Sequence, residues 1–473
     1  MDLMLFAPEL ILLLGSLVLF FITTGQASGN KARAITLIIT FASIVAGLSS
    51  FCMTGSLFFD AYKIDLFSQS FKIIILMGLA AVLMLGSELK DTADEIRPEY
   101  YLFLLMSVIG LVMLVSSVEL LTIFIALELS SYSLYILVPM RDDRGGLRIQ
   151  MESAIKYIIF GAVATGIMLF GMSYMFGLTG TTYLVDLLPR LHQLMDSPAA
   201  IFAIAMVLGG FLFKLAAFPF HSWVPDVYQG ASNETTAFIA SVPKVAAVAL
   251  LIRITALATP DGQGIVTLLT ILAICSMFYG NLVALVQTDL KRMLGFSGIA
   301  HAGYVLLGLV TLRETGYVAS IYYIIGYLVM NLAGFLVICK LSQKGENLVV
   351  NDLSGLHKRS PLLALTMLVS MLSMAGIPPF VGFMGKFSLM TEAYRAGHMT
   401  LVIMAAINTA IAIYYYLSIV RITYSSTTDD RPNLSIGLTT KVLSISMILI
   451  IILLGILPEK IIQLATQAVR TIL

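Results

Sequence analysis

Runs of about twenty apolar residues, each long enough to cross a bilayer core as a helix, recur along the chain with short polar connections between them. The pattern predicts helices near 5–24, 35–53, 67–86, 100–116, 119–138, 153–176 and 199–225. A second series follows near 235–257, 265–287, 293–311, 316–340, 361–395, 400–423 and 440–457. The expected fold is an all-α polytopic membrane protein with about fourteen transmembrane helices. The longest connections, near 177–198 and 424–439, are too short for a soluble domain.

Two of these runs carry helix breakers. The stretch GGFLFKLAAFPFHSWVPDVYQGASNETTAFIASVPK, residues 209–244, holds Pro219, Pro225, His221 and the lysines Lys214 and Lys244. Proline frees backbone carbonyls that must find water or protein partners at membrane depth. The later stretch SMLSMAGIPPFVGFMGKFSLM repeats the arrangement with Gly376, Pro378 and Pro379, followed within about two turns by Lys386. If helices four to eight form one unit and nine to thirteen another, each unit has five spans, and the second lies inverted relative to the first. The broken helix is then the fourth member of each, a pattern that points to an inverted-repeat transporter. The chain accordingly divides into three N-terminal helices (1–99), a first five-helix repeat (100–258), a second inverted repeat (259–424) and a C-terminal helix (425–473).

Composition agrees with the pattern. Hydrophobic residues make up 59% of the 473 and charged residues 12%, and mean hydropathy is +0.96, far from the range of soluble domains. A net charge of +1 argues against a nucleic-acid partner. Among the connections, one alternating set carries sixteen Lys and Arg residues, Lys31, Arg33, Arg141, Arg144 and Arg431 among them, and the other carries six. That asymmetry places the richer set in the cytoplasm and both termini on the outer side. The first apolar segment is preceded by Asp2 and no basic residue, so it lacks the charged region of a signal peptide and should be retained. Cys52, Cys275 and Cys339 stand apart, without CxxC pairing, and read as buried small hydrophobes. No His or Met is placed as an axial haem ligand would be.

Ionisable residues within the spans are the candidate chemistry, because a lysine at the centre of a spanning helix costs roughly 2.5–3.5 kcal/mol on insertion scales. Glu128 lies nine residues, roughly 13 Å, along the fifth helix from Glu119. Glu128 therefore belongs near the midplane and Glu119 near the outer surface. Lys214 precedes the first break, Lys244 follows Pro243 well inside helix eight, and Lys386 follows the second break. Lys72, Lys156 and Arg253 fall near helix ends, where long side chains reach the interface. His221, His301 and Glu119 are secondary proton-path candidates, the histidines because an imidazole titrates near neutral pH, and the many tyrosines read as packing or lipid-facing groups.

Burial disfavours a charged amine and a nearby carboxylate favours it, so a partner that moves can load and unload a lysine proton. The expected path is a coupled line in which Glu128 biases Lys214, Lys214 acts on Lys244, and Lys386 exchanges with the opposite side.

The segments ALELSSYSLYILV, FKLAAFPFHSWVPDVYQGA, SVPKVAA, LKRMLGFSGIAHAGY and AGIPPFVGFMGKF resemble the signature of the antiporter-like membrane subunits of respiratory complex I, and the resemblance covers nearly the whole chain. It implies that Glu128, Lys214, Lys244 and Lys386 form the proton path. Lys386, where the middle of three sister subunits carries glutamate, and an end at Leu473 without a long lateral helix leave the innermost sister. The resemblance further implies a complex in which NADH, FMN, iron–sulfur clusters and quinone are used by other subunits and none is held by this chain. The partners implied are other membrane subunits, including the neighbouring antiporter-like subunit and small core subunits, within the cell inner membrane. Two other readings are a subunit of a multisubunit sodium/proton antiporter and an independent solute permease.

Overall fold

A computed structural model of the chain describes all residues except 1–2, 26–27, 87–88, 143–145, 147, 193, 195–196, 257–262 and 426–432, and all of their side chains except those at 3, 188, 192 and 263. Asp2, Arg144 and Arg431 therefore lie outside the described residues.

Three helices come first, α1 (Ala7–Thr23), α2 (Gly29–Ser49) and α3 (Leu66–Leu85), with an antiparallel hairpin of β1 (Gly55–Leu57) and β2 (Tyr62–Ile64) before α3. Next are α4 (Arg97–Leu114), α5 (Leu120–Leu137), α6 (Ile149–Thr179), a short α7 (Leu184–His192) and α8 (Pro198–Leu215). The chain breaks after α8, resumes as α9 (Val224–Gly230) and continues into α10 (Asn233–Thr255). The second half holds α11 (Gln263–Ala284), α12 (Leu290–Val310), α13 (Glu314–Leu341) and the four-residue α14 (Leu356–Arg359). A second broken pair follows, α15 (Pro361–Ala375) and α16 (Val381–Arg395), then α17 (Met399–Thr423), α18 (Leu438–Ile456) and α19 (Glu459–Arg470).

Among the described residues, thirteen helices are long and apolar enough to cross a membrane by length and composition. The fourteenth expected run, 361–395, is the pair α15 and α16, each of fifteen residues and too short to cross alone. Several boundaries move. α2 starts at Gly29 rather than near 35, so Lys31 and Arg33 belong to its first turns, where Arg33 Nε donates to the Leu83 carbonyl at 3.0 Å. The amphipathic α19 lies beyond the last expected span, with Ala465, Ala468 and Val469 buried and Arg470 paired with Glu314 at 2.8 Å. A search for continuous apolar runs passes over such a helix because only one face is apolar.

α10, α12 and α13 form the enclosed centre, while α1, α2, α6 and α17 turn broad apolar faces outward. Helix starts are fixed by side-chain caps. Asp65 and Ser68 form a capping box on α3, Ser232 accepts from the Thr235 amide at the start of α10, and Asp289 accepts from the Arg292 amide at the start of α12. Two close helix contacts depend on glycine. A Cβ on Gly110 of α4 would lie 2.5 Å from the Ser130 amide nitrogen of α5, and one on Gly280 of α11 would lie 2.6 Å from the Ala300 amide nitrogen of α12.

Two basic residues expected to reach the interface do not. Lys72 is fully buried against Glu9 at 2.5 Å, and Tyr62 donates to the same carboxylate oxygen at 2.6 Å. Arg253 is buried in a two-pronged pair with Asp65, both contacts 3.1 Å. A carboxylate on another segment holds each charge inside, which offsets its desolvation. Lys156 does stay partly exposed, paired with Glu152 and Asp226 at 2.7 Å each. Cys339 is buried as expected, but Cys52 is exposed and Cys275 half-buried, because Cys52 follows the end of α2 and Cys275 sits on the rim of α11.

Candidate functional site

All four expected path residues turn inward: Glu128 is 5% exposed, Lys214 4%, Lys244 2% and Lys386 2%. α5 contributes two faces. Glu128 accepts a hydrogen bond from Thr165 of α6 at 2.8 Å, and the next turn presents Ser130 and Ser131 to Lys214, whose Nζ donates to their hydroxyls at 3.0 and 3.1 Å. Glu128 and Lys214 form no ion pair with each other, each being held by hydroxyl groups instead. Lys214 occupies the last turn of α8, whose helix ends at Ala216 in the left-handed region (φ 67°). Pro219 lies within the break. Pro225 does not break anything: it sits in the first turn of α9, where its missing N–H has no helical partner to lose.

Lys244 reaches from α10 to the Gly298 carbonyl of α12 at 3.1 Å and to the Tyr327 hydroxyl of α13 at 3.3 Å. Gly298 permits this approach, since a Cβ there would fall 2.7 Å from Lys244 Nζ. No hydrogen bond joins Lys214 to Lys244. Leu215, Lys244, His301 and Tyr327 line one gap too narrow for a water molecule.

At the second break, Gly376 (φ 86°) ends α15, with Pro378 and Pro379 in the connection to α16. Lys386 reaches back from α16 and donates to the Met374 and Ala375 carbonyls at 2.9 and 3.3 Å. Those carbonyls belong to the C-terminal turn of α15, where a helix leaves carbonyls unpaired and favours a cation. The ammonium also stands 4.7 Å from the centre of the Tyr304 ring.

Between Lys244 and Lys386 sits His301. Its two ring nitrogens are hydrogen-bonded to Tyr323 at 2.6 Å and Tyr416 at 3.1 Å, and Tyr416 donates onward to Ser297 at 2.7 Å. Its ring lies 4.9 Å from that of Tyr327, the tyrosine that holds Lys244. A residue read as secondary thus occupies the middle of the polar seam, and buried tyrosines expected merely to pack supply its hydrogen bonds. The one sequence signal was GFSGIAHAGY, which places Gly298 and His301 one turn apart.

The remaining candidates lie elsewhere. His221 is enclosed by the rings of Phe218 and Tyr279, at 5.4 and 4.3 Å, and bonds to none of the four path residues. Glu119 caps α5, accepting from the Thr122 amide and hydroxyl at 2.8 and 2.9 Å. Burial raises its proton affinity, but the hydrogen bonds from Thr182 and Thr122 outweigh that effect and hold the carboxyl below the usual range.

The family described as NADH:quinone oxidoreductase/Mrp antiporter, TM, matches residues 117–412, the stretch that carries Glu128, Lys214, Lys244, His301 and Lys386. The chain is also 51% identical to the NADH-quinone oxidoreductase subunit N 2 of Opitutus terrae, over 99% of this chain and 98% of that one. The chain belongs to the subunit N family of NADH-quinone oxidoreductases. Among solved structures it is similar to a chain of respiratory complex I from Thermus thermophilus, with 30% identity, a TM-score of 0.85 and coverage of 97% and 99%. A chain of the Mrp complex from Dietzia has a TM-score of 0.89 at 20% identity, over 100% of this chain and 98% of that one, and shares the fold alone.

Proposed function

We propose that this chain is a proton-translocating membrane subunit of NADH-quinone oxidoreductase. Electron transfer from NADH to quinone takes place in other subunits, which hold FMN and the iron–sulfur clusters, and drives protons along Glu128, Lys214, Lys244 and Lys386. The observation that carries this reading is the inward convergence of ionisable side chains from α5, α8, α10 and α16, with His301 and its tyrosines joining the last two. A permanent positive charge in such a place serves no packing purpose. A proton that can be held or released there does serve transport.

In this reading Lys214 takes a proton when the field of Glu128 favours it, and the serine hydroxyls of α5 hold the ammonium in place. Lys214 then acts on Lys244 through its charge, His301 relays between Tyr327 and Tyr323, and Lys386 is the last group before the opposite side. The chain divides at 1–99, 100–258, 259–424 and 425–473, with the middle two segments as inverted repeats. The paired breaks support that division, as do the glycine contacts, Gly110 on Ser130 and Gly280 on Ala300, each twenty positions apart. The subunit lies in the cell inner membrane with both termini outside, against a neighbouring antiporter-like subunit and small core membrane subunits. Whole-length identity to subunit N favours this assignment over the sodium/proton antiporter reading, which the shared fold alone does not distinguish.

The test is Lys214→Ala in the assembled complex. Proton movement coupled to NADH oxidation should be lost while the complex still assembles on a native gel; wild-type pumping would refute the path.

A further inference from the structure

Glu234 stands in the first turn of α10, buried, and the path just described makes no use of it. Its carboxylate accepts a hydrogen bond from its own backbone amide and is bonded to no described side chain, although Asp91, Lys340 and Lys291 are near enough to act on it. It presses on the end of α3, where a Cβ on Gly86 would come 2.5 Å from Glu234 Cγ. A buried carboxylate bonded to no other side chain is costly.

Its position relative to Lys244 is specific. α10 and α13 run antiparallel, and three pairs face each other along their seam. Lys244 donates to Tyr327, Asn331 donates to Ser241 at 2.9 Å, and Glu234 lies near Cys339. Each step of three or seven residues down α10 is matched by one of four or eight along α13, so the three pairs form one continuous line. Ser241 is two helical turns from Glu234, about 10 Å, and one turn from Lys244. Between Glu234 and Ser241 the level of the seam is occupied by Phe238 and Phe335, both fully buried.

We propose that Glu234 is the proton-uptake group of this chain, receiving protons from the cytoplasmic side and delivering them along the α10–α13 seam to Lys244. The proposal rests on the path reading above. Protonated Glu234 gives its proton through the hydroxyl of Ser241 to the neutral amine of Lys244, which becomes ammonium. The carboxylate left behind takes a new proton from cytoplasmic water. Phe238 and Phe335 form an apolar layer in this line that conducts only while hydrated, so a delivered proton does not run back.

The experiment uses the assembled complex in inverted membrane vesicles, with the cytoplasmic face outward, and follows NADH-driven acidification of the lumen together with quinone reduction. Lys244→Met should abolish pumping. Glu234→Gln should slow it by about tenfold or more and flatten its dependence on external pH, while Glu234→Asp should restore most of the rate and the pH dependence. If Lys244→Met fails to pump but Glu234→Gln pumps with the wild-type rate and pH profile, the uptake role is overturned and the path stands. If Lys244→Met pumps normally, the path itself is overturned. Should Glu234→Gln not assemble, Ser241→Ala decides: slowed pumping in a normally assembled complex supports the seam, and an unchanged rate overturns it.

Discussion

Gly298→Ala is the most discriminating test of how the seam holds its central lysine. The added Cβ would lie 2.7 Å from Lys244 Nζ and 3.0 Å from the Tyr327 hydroxyl, whereas unstrained contacts of this kind need about 3.5 Å or more. The ammonium is the end of a flexible side chain, so it withdraws by roughly 1 Å and gives up its bond to the Gly298 carbonyl, now 3.1 Å long. A hydrogen bond from a charged donor contributes about 1.5–3 kcal/mol, which corresponds to about a tenfold to hundredfold change in the occupancy of the working position at 1.36 kcal/mol per factor of ten. The helix itself gains, because alanine is favoured over glycine by about 1 kcal/mol in a helix interior. The variant should therefore assemble fully and pump poorly. NADH-driven pumping in inverted vesicles, normalised to assembled complex on a native gel, measures both. Gly166→Ala, in α6 with open space around its Cβ position, is the control for a harmless helical substitution. Pumping by Gly298→Ala equal to that control would show that the position of Lys244 is not set by this close approach, and the geometry argued for the seam would be wrong.

Two further outcomes follow from groups outside the path. Lys72→Met strands the Glu9 carboxylate and should destabilise the subunit by about 3–5 kcal/mol, read as a lower thermal midpoint of the purified complex; adding Glu9→Leu should recover most of the loss, and a single variant as stable as wild type would show that the pair contributes nothing. Glu119 has its folded-state proton affinity lowered by its cap bonds, so its stabilisation is present at neutral pH and disappears as pH falls through the folded carboxyl's range. Glu119→Gln should lack that part of the acid-side decline in thermal stability, and an unchanged acid limb would remove Glu119 as its source.

Much of the framework was legible because membrane insertion imposes long apolar runs, and prolines announce where those runs bend. The two misplaced buried charges share one cause, which is distance along the chain. Lys72 was assigned to the interface because its partner Glu9 lies 63 positions away, and Arg253 because Asp65 lies 188 away. Local sequence cannot place such partners. The start of α2 was missed because Lys31 and Arg33 interrupt the apolar pattern although the helix continues through them. The site was legible in its charges but not in its connections. Tyr323, Tyr327 and Tyr416 look like ordinary aromatic filling until the crossing of α12, α13 and α17 brings their hydroxyls to His301 and Lys244.

The grip of Lys386 on the end of α15 has one more implication. Its charge is what the helix-end carbonyls of Met374 and Ala375 attract most strongly, an effect of about 0.3–1 kcal/mol for a cation at a helix terminus and up to about 2 in sheltered geometry. On the path proposed above, departure of the proton would remove that tether between the two half-helices, and its arrival would restore it. Loading and bending at this elbow would then be two readings of one free energy, so that a mechanical push transmitted to α15 or α16 from elsewhere in the membrane would change how tightly Lys386 holds its proton.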